Sequence, residues 1–268
     1  MNSPSRLLEA GFLGRVDYES GLSLQREAAD RLASASFPGE KNDSLLLLEH
    51  PPVFTLGKNA SESEIVVPRA LVEARGASVV RCDRGGKITY HGPGQLVGYP
   101  ILDLRPDRCD VGSYVAGLEE VLIRVLGSWG IAAGRFPGYT GVWVDVGRPG
   151  ELPEFLAGDG RARTREGRSA ARSVPPPSVR KIAAIGIHLA RWITTHGFAF
   201  NVQPDLSFYD LIVPCGIREF GVTSMKEVLG VETPLGEVAE RLVPIFGEVF
   251  GRTVVPHPAP APGPSERG

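Results

Sequence analysis

Residues 84–100, RGGKITYHGPGQLVGYP, constrain this chain more than any other stretch, because five glycines and two prolines stand in seventeen positions beside few bulky aliphatic side chains. Ordinary core strands are not built this way. Gly85, Gly86, Gly92, Gly94 and Gly98 let the backbone take φ > 0 and come close to another surface, which is how a chain grips a ligand with main-chain groups. Lys87, Thr89, Tyr90, His91 and Gln95 lie between them as donors and acceptors. The alternative is a glycine-rich connection whose polar residues simply face water. The variety of polar types, followed at once by Tyr99-Pro100-Ile101-Leu102, favours a binding wall.

The rest of the chain supports a globular protein around that wall. Its 268 residues can bury a substantial core, and 42% hydrophobic with 22% charged residues is ordinary for a soluble domain. A net charge of −2 provides no broad basic field for nucleic acid or an anionic membrane. No apolar run reaches the roughly 18 residues of a membrane span, and the N-terminus lacks the pattern of a secretory signal. Cys82, Cys109 and Cys215 are too few and too scattered for a disulfide framework or a zinc site, so no metal is expected and the compartment reads as a reducing cytoplasm.

Hydrophobic spacing orders the elements. Helices are expected over 22–35, 68–75, 223–229 and 235–250, with strands over 11–18, 44–50, 53–57, 77–82, 99–104 and 139–146. A further helix, capped by Asp110 or Ser113, carries Tyr114, Leu118, Val121, Leu122, Val125 and Leu126 on one stripe and leaves Glu119-Glu120 outside it. Two strands, 181–190 and 192–202, reverse at Arg191 or, as the polar composition favours, within Thr194-Thr195-His196-Gly197. Strict alternation would put Lys181, Ala183, Ile185 and Ile187 on one face. Between 147 and 178 the chain has no period and carries six arginines against four acidic residues, which reads as a flexible surface insertion. A catalytic domain is expected over 1–251, and a Pro-rich disordered tail over 252–268.

Cys215 is the sharpest candidate for chemistry, since Pro214 and Gly216 suit a tight corner that presents the sulfur. A thiol of pKa about 8.5 is mostly protonated at neutral pH and needs a nearby cation or base. Lys181, or one of His91, His188 and His196, can serve. Cys82 lies in an apolar strand, and Cys109 in a charged loop without an evident helper.

The motifs RGGKITYHGPGQLVGYPILDL, SYVAGLEEVLIRVLGSWGI, GVWV, KIAAIGIHLARWITTHGFAFNV, PDLSFYDLIVPCGI and GVTSMKEVLG follow one another in an order that resembles the lipoyl(octanoyl) transferases, from about residue 11 to 251. The insertion at 147–178 departs from that family, which has a short turn there. By this resemblance Cys215 matches the cysteine that takes an acyl group as a thioester, and Lys181 matches the lysine that activates it. Lys181 is expected to sit partly desolvated, with its pKa lowered. Arg84, Gly85, Gly86, Lys87, Ile88, Thr89, Tyr90 and His91 are implied to bind acyl substrate, as are Ala184, Ile185, Gly186, Gly197, Phe198 and Ala199. His91 ranks as a binding or orienting group ahead of a proton relay.

What the resemblance implies is an α/β (α+β) fold with a mixed central sheet flanked by helices, similar to biotin and lipoate protein ligase catalytic domains. It also implies an octanoyltransferase without cofactor, probed by two partners: octanoyl-acyl carrier protein as donor, and as acceptor the apo lipoyl domains of 2-oxoacid dehydrogenases and glycine cleavage H protein. Neither nucleic acid nor membrane is an expected partner, and a monomer is expected. An ATP-dependent lipoate or biotin ligase, a transferase working between two lipoyl-type domains, and a non-catalytic module that binds acyl carrier protein are the rival readings.

Overall fold

The structure is a computed structural model and describes residues 6–37, 40–106, 108–158, 175–213 and 221–258. In chain order run β1 (Arg6–Arg15), α1 (Tyr18–Ala33), β2 (Asp43–Glu49), β3 (Val53–Leu56), α2 (Arg69–Ala74), β4 (Ser78–Arg81), β5 (Ile88–His91) and β6 (Gln95–Ile101). They are followed by α3 (Val111–Gly127), β7 (Ala133–Phe136), β8 (Tyr139–Asp145), β9 (Val179–Ala190), β10 (Ile193–Asn201), α4 (Met225–Leu229), α5 (Leu235–Phe250) and β11 (Arg252–Pro256).

Four consecutive leucines in β2 cannot alternate between core and water, so this strand needs cover on both faces. Leu45 and Leu47 meet Leu118, Leu122 and Val125 of α3 and Leu242 and Phe246 of α5, while Leu46 and Leu48 meet Ala28 and Leu32 of α1. The strand therefore lies inside an eight-stranded sheet of order β11-β1-β2-β6-β10-β9-β8-β7, parallel across its first three strands and antiparallel beyond. The expected architecture, a mixed central sheet flanked by helices, is present. A second sheet, β4-β3-β5, has its own core of Phe54, Leu56, Ile88, Tyr90 and Phe208. The two sheets are joined through the glycine-rich stretch, which crosses from β4 and β5 into β6.

Several expectations are corrected. The glycine-rich stretch is itself largely strand, with β6 beginning at Gln95 instead of Tyr99. β9 and β10 reverse at Arg191-Trp192, at φ 50° and 65°, so Thr194 to Gly197 belong to the strand. This is the backbone of a tight hairpin turn that glycine or asparagine usually occupies, and no such residue announced it. Glu119 is buried, since its carboxylate binds Arg135 Nε at 3.1 Å and the Gly141 N–H at 3.0 Å. Tyr18 opens α1 and does not close β1.

The two low-complexity segments are more ordered at their flanks than composition implied. Leu156 is buried with Phe136, Trp143 and Val179, and the Pro149 carbonyl accepts from the Ala132 N–H, so 147–158 packs against β7 and β8. Residues 159–174 of the expected insertion lie outside the described residues. At the other end, Arg252–Pro256 pair in parallel with β1, and Arg252 Nε binds Asp43 Oδ2 at 2.7 Å. The tail boundary expected at residue 252 is thus overtaken by a strand, because an ion pair 209 residues apart in sequence anchors it. Residues 259–268 of the expected tail lie outside the described residues.

Candidate active site

A cleft of about 440 Å³ opens where the 84–91 segment crosses β9 and β10. Its floor is made of small residues in cross-strand pairs, Ala184 with Ala199 and Gly186 with Gly197. Its wall is stapled from both sides. Gly85 N–H donates to the Ile187 carbonyl at 2.8 Å, while Lys58 N–H and Asn59 N–H donate to the carbonyls of Arg84 and Gly86 at 3.0 and 3.2 Å. At Gly186 a Cβ would stand 3.0 Å from the Gly85 carbonyl oxygen and 3.2 Å from Arg84 Cδ, so a side chain there would wedge wall from floor.

Lys181 reaches the cleft through a bulge in β9. Ala183 pairs with Val142 but Lys181 pairs with Trp143, so Ile182 is an extra residue on its strand. Val142 faces the α3 side with Ile182 and Ala183, whereas Trp143 faces the opposite cluster. Paired residues share a face. The bulge therefore turns Lys181 away from Ala183, Ile185 and Ile187, correcting the single face expected from alternation. Its Nζ donates to the Thr140 carbonyl at 3.0 Å and lies 4.7 Å from the Trp143 ring centroid. Only 9% of the residue is exposed.

The other end of the cleft is polar and its Arg84 and His91 are buried. Arg84 is 7% exposed, and its guanidinium donates to the Thr55 carbonyl and hydroxyl and to the Gly85 carbonyl. Gln95 uses its amide N–H groups on Tyr90, Asn201 and Tyr209, so its Oε1 accepts from His91 Nδ1 at 2.8 Å. The His91 lone pair is then on Nε2, facing the Thr55 hydroxyl at 3.4 Å. Burial, with the nearby His50 and Arg84, holds the His91 pKa well below the ordinary histidine value. A neutral imidazole so constrained orients its neighbours. His50 donates from Nδ1 to the Val16 carbonyl at 2.6 Å and accepts the Tyr99 hydroxyl on Nε2 at 2.7 Å. Burial lowers its pKa to about 4.

Of the residues named from sequence, Arg84, Gly85, Gly86, Lys87, Ile88, Thr89, His91, Lys181, Ala184, Ile185, Gly186, Gly197, Phe198 and Ala199 all line this one cleft. Tyr90 does not. Alternation along β5 turns it into the second core, where it stacks on Phe208 at 4.6 Å. Cys215 lies outside the described residues. Gly221, where the described chain resumes, accepts the Lys181 N–H at 3.0 Å, and the Thr223 N–H donates to the Lys181 carbonyl at 3.0 Å. Sequence reasoning missed Tyr18, Val111, Val115, Tyr139 and Thr140, which also line the cleft. Val115, inside the quoted SYVAGLEEVLIRVLGSWGI, and Tyr139 and Thr140, directly before the quoted GVWV, carried some signal.

Gly98 sets the spacing behind the floor. It pairs with Phe198, and a Cβ at 98 would stand 2.1 Å from Phe198 Cζ. Gly98→Ala is expected to destabilise the protein by about 1–3 kcal/mol, because the buried ring must leave its position. Thermal denaturation checks this, at about 2–4 °C per kcal/mol for a domain of this size. An unchanged melting temperature would mean that the ring moves aside freely.

Comparison with known proteins gives consistent results. A model described as the lipoyl protein ligase A/B catalytic domain matches residues 17–247. An octanoyltransferase of Myxococcus xanthus is 46% identical over 92% of the chain, which spans 61% of that longer relative. One from Solibacter usitatus is 45% identical, covering 91% of this chain and 93% of the relative. Among solved structures, a bipartite lipoate protein ligase of Thermoplasma acidophilum superposes with a TM-score of 0.62 at 19% identity, over 94% of this chain and 86% of that one. At that identity the likeness is one of fold.

Proposed function

The chain belongs to the lipoyl protein ligase A/B catalytic domain family, and from that premise we propose that it transfers an octanoyl group from octanoyl-acyl carrier protein to a specific lysine of apo lipoyl domains, the first step of endogenous protein lipoylation. The acceptors would be the lipoyl domains of 2-oxoacid dehydrogenases and the glycine cleavage H protein. The observation that carries this reading is Lys181, held by Thr140 and Trp143 at the edge of a cleft floored by small residues. A floor of alanine and glycine leaves room for an unbranched acyl chain, and a cleft of about 440 Å³ is of the size that holds a small ligand.

In this proposal Cys215 is the nucleophile. Lys181 in its amine form takes the thiol proton, the thiolate attacks the donor thioester, a new C–S bond forms, and the carrier thiolate leaves with the proton from Lys181. Exchange of one thioester for another is nearly balanced in free energy. The acceptor lysine amine then attacks, the C–N bond forms as the C–S bond breaks, and Lys181 takes the amine's proton and returns it to Cys215. Formation of the amide makes this half downhill, so no nucleotide is consumed. Gly221, six residues after Cys215 in sequence, bonds to the Lys181 backbone, which supports placing thiol and amine in one site.

We further propose a monomer acting in the cytoplasm. No helix among the described residues is long and apolar enough to cross a membrane.

Intact-mass spectrometry of the protein with octanoyl-acyl carrier protein and no ATP tests the reading. A hydroxylamine-sensitive octanoyl adduct on Cys215 that moves to an added apo lipoyl domain is expected. Absence of the adduct, with octanoylation of the domain only after free octanoate and ATP are supplied, would replace the transferase with a ligase.

A further inference from the structure

Beside the acyl cleft, and sharing only His196 with it, lies a second cavity of about 670 Å³ between α1 and the segments that follow β3 and β4. Three cations stand around it from three separate segments: Arg26 on α1, Lys58 after β3 and Arg81 at the end of β4. None of them pairs with a carboxylate among the described residues. Arg26 donates to the Ser23 hydroxyl at 3.0 Å, and Lys58 Nζ donates to His188 Nδ1 at 3.2 Å. An ammonium has three N–H groups, so Lys58 has capacity in hand.

The acidic residues of the cavity, Asp30 and Asp83, offset only part of this set of three cations. Asp83 is engaged by histidines, with His196 Nε2 at 2.8 Å and His188 Nε2 at 3.5 Å, and Asp30 sits exposed on the rim. At the base, Gln25 is 2% exposed and accepts the His196 N–H on Oε1 at 2.7 Å, yet its buried Nε2 has no hydrogen-bond partner. A buried amide donor left unmatched is costly unless something accepts from it. Cations from three separate segments line one space, and the Gln25 N–H₂ lies buried beneath it. A planar carboxylate offers two oxygens along one edge, whereas a tetrahedral oxyanion can meet donors arriving from several directions at once.

We propose that this cavity is a phosphate-binding site, taking either free phosphate or the phosphodiester of a carrier-protein arm. A phosphoryl group there would bridge α1 to Lys58 and Arg81. Lys58 also holds the cleft wall through its N–H bond to the Arg84 carbonyl, so an occupied site would brace the acyl-binding wall from behind.

Calorimetric titration with inorganic phosphate, at constant ionic strength in a phosphate-free buffer, tests the site without reference to acyl transfer. Saturable one-to-one binding is expected for the wild type and for Arg31→Ala, an exposed α1 residue outside the cavity. Lys58→Ala/Arg81→Ala, two exposed positions, is expected to weaken binding by about ten-fold or more. No saturable binding, or equal binding by the double variant, would overturn the proposal. A second arm rests on the proposed transferase reaction and separates the two sources. If phosphate competes with octanoyl-acyl carrier protein and the double variant raises KM for that donor but not for octanoyl-pantetheine, the carrier arm is the occupant. If phosphate binds without competing, free phosphate is.

Discussion

Lys181→Met is expected to slow formation of the octanoyl adduct by about 10²–10⁴-fold at neutral pH, the span typical of losing a general acid–base group. Methionine keeps an unbranched apolar stem against Trp143 at similar volume, so the fold should survive with a change below about 1.5 kcal/mol. Circular-dichroism melting checks that. The loss should shrink as pH rises towards the ordinary thiol pKa of about 8.5, because the cysteine then ionises without help. Cys215→Ala distinguishes the two roles, since it should give no adduct at any pH. Rapid-quench kinetics with mass detection reads both variants, and a wild-type loading rate for Lys181→Met at neutral pH would reject the lysine as the activating group.

The parts of this site that were legible in the sequence are those where residue type and backbone demand coincide. Gly85, Gly186 and Gly197 stand where two backbones approach and Gly86 takes φ 89°; Gly85 and Gly86 were marked by their dense stretch, Gly186 and Gly197 only through the resemblance. The buried strand at residues 43–49 and the helix at 111–127 announced themselves by pattern for the same reason. What could not be read was set by tertiary pairing. The bulge at Ile182 that swings Lys181 across the sheet depends on the register between β8 and β9, and register is a property of the pair, not of either strand. Glu119 looked like a solvated charge until Arg135 and the Gly141 amide were placed beside it. Tyr90 was grouped with its neighbours along the chain, but alternation on β5 sends it to the opposite face. Lys58 and Arg81, which frame the second cavity, belong to no motif at all, since only the packing of α1 beside the ends of β3 and β4 brings them together.

Acid should destabilise this protein well above the range in which carboxylates titrate, because three buried histidines are held neutral around the cleft. His50, His91 and His196 all have pKa values lowered, first by burial. For His196 the bond to Asp83 acts in the opposite sense but is outweighed. A histidine whose folded pKa lies below its unfolded value takes up its proton more readily when unfolded. Its effect is absent above pH about 6.5, and stability is lost as pH falls from there towards the folded pKa. With a folded pKa of about 4 for His50, linkage gives a loss of about 2 kcal/mol at pH 5 from this residue alone, and the other two add in the same direction. Urea denaturation at pH 7.5, 6.5, 5.5 and 5.0 measures the slope. His50→Gln removes one titrating group while keeping an amide that can still donate to Val16 and accept from Tyr99, so it should start less stable at pH 7.5 but fall less steeply, by about 2 kcal/mol at pH 5. Equal stability of the wild type at pH 7.5 and 5, or an identical fall in both proteins, would show that these histidines are already protonated in the fold or are reached by water, and the neutral, bonded wall assigned to the cleft would have to be withdrawn.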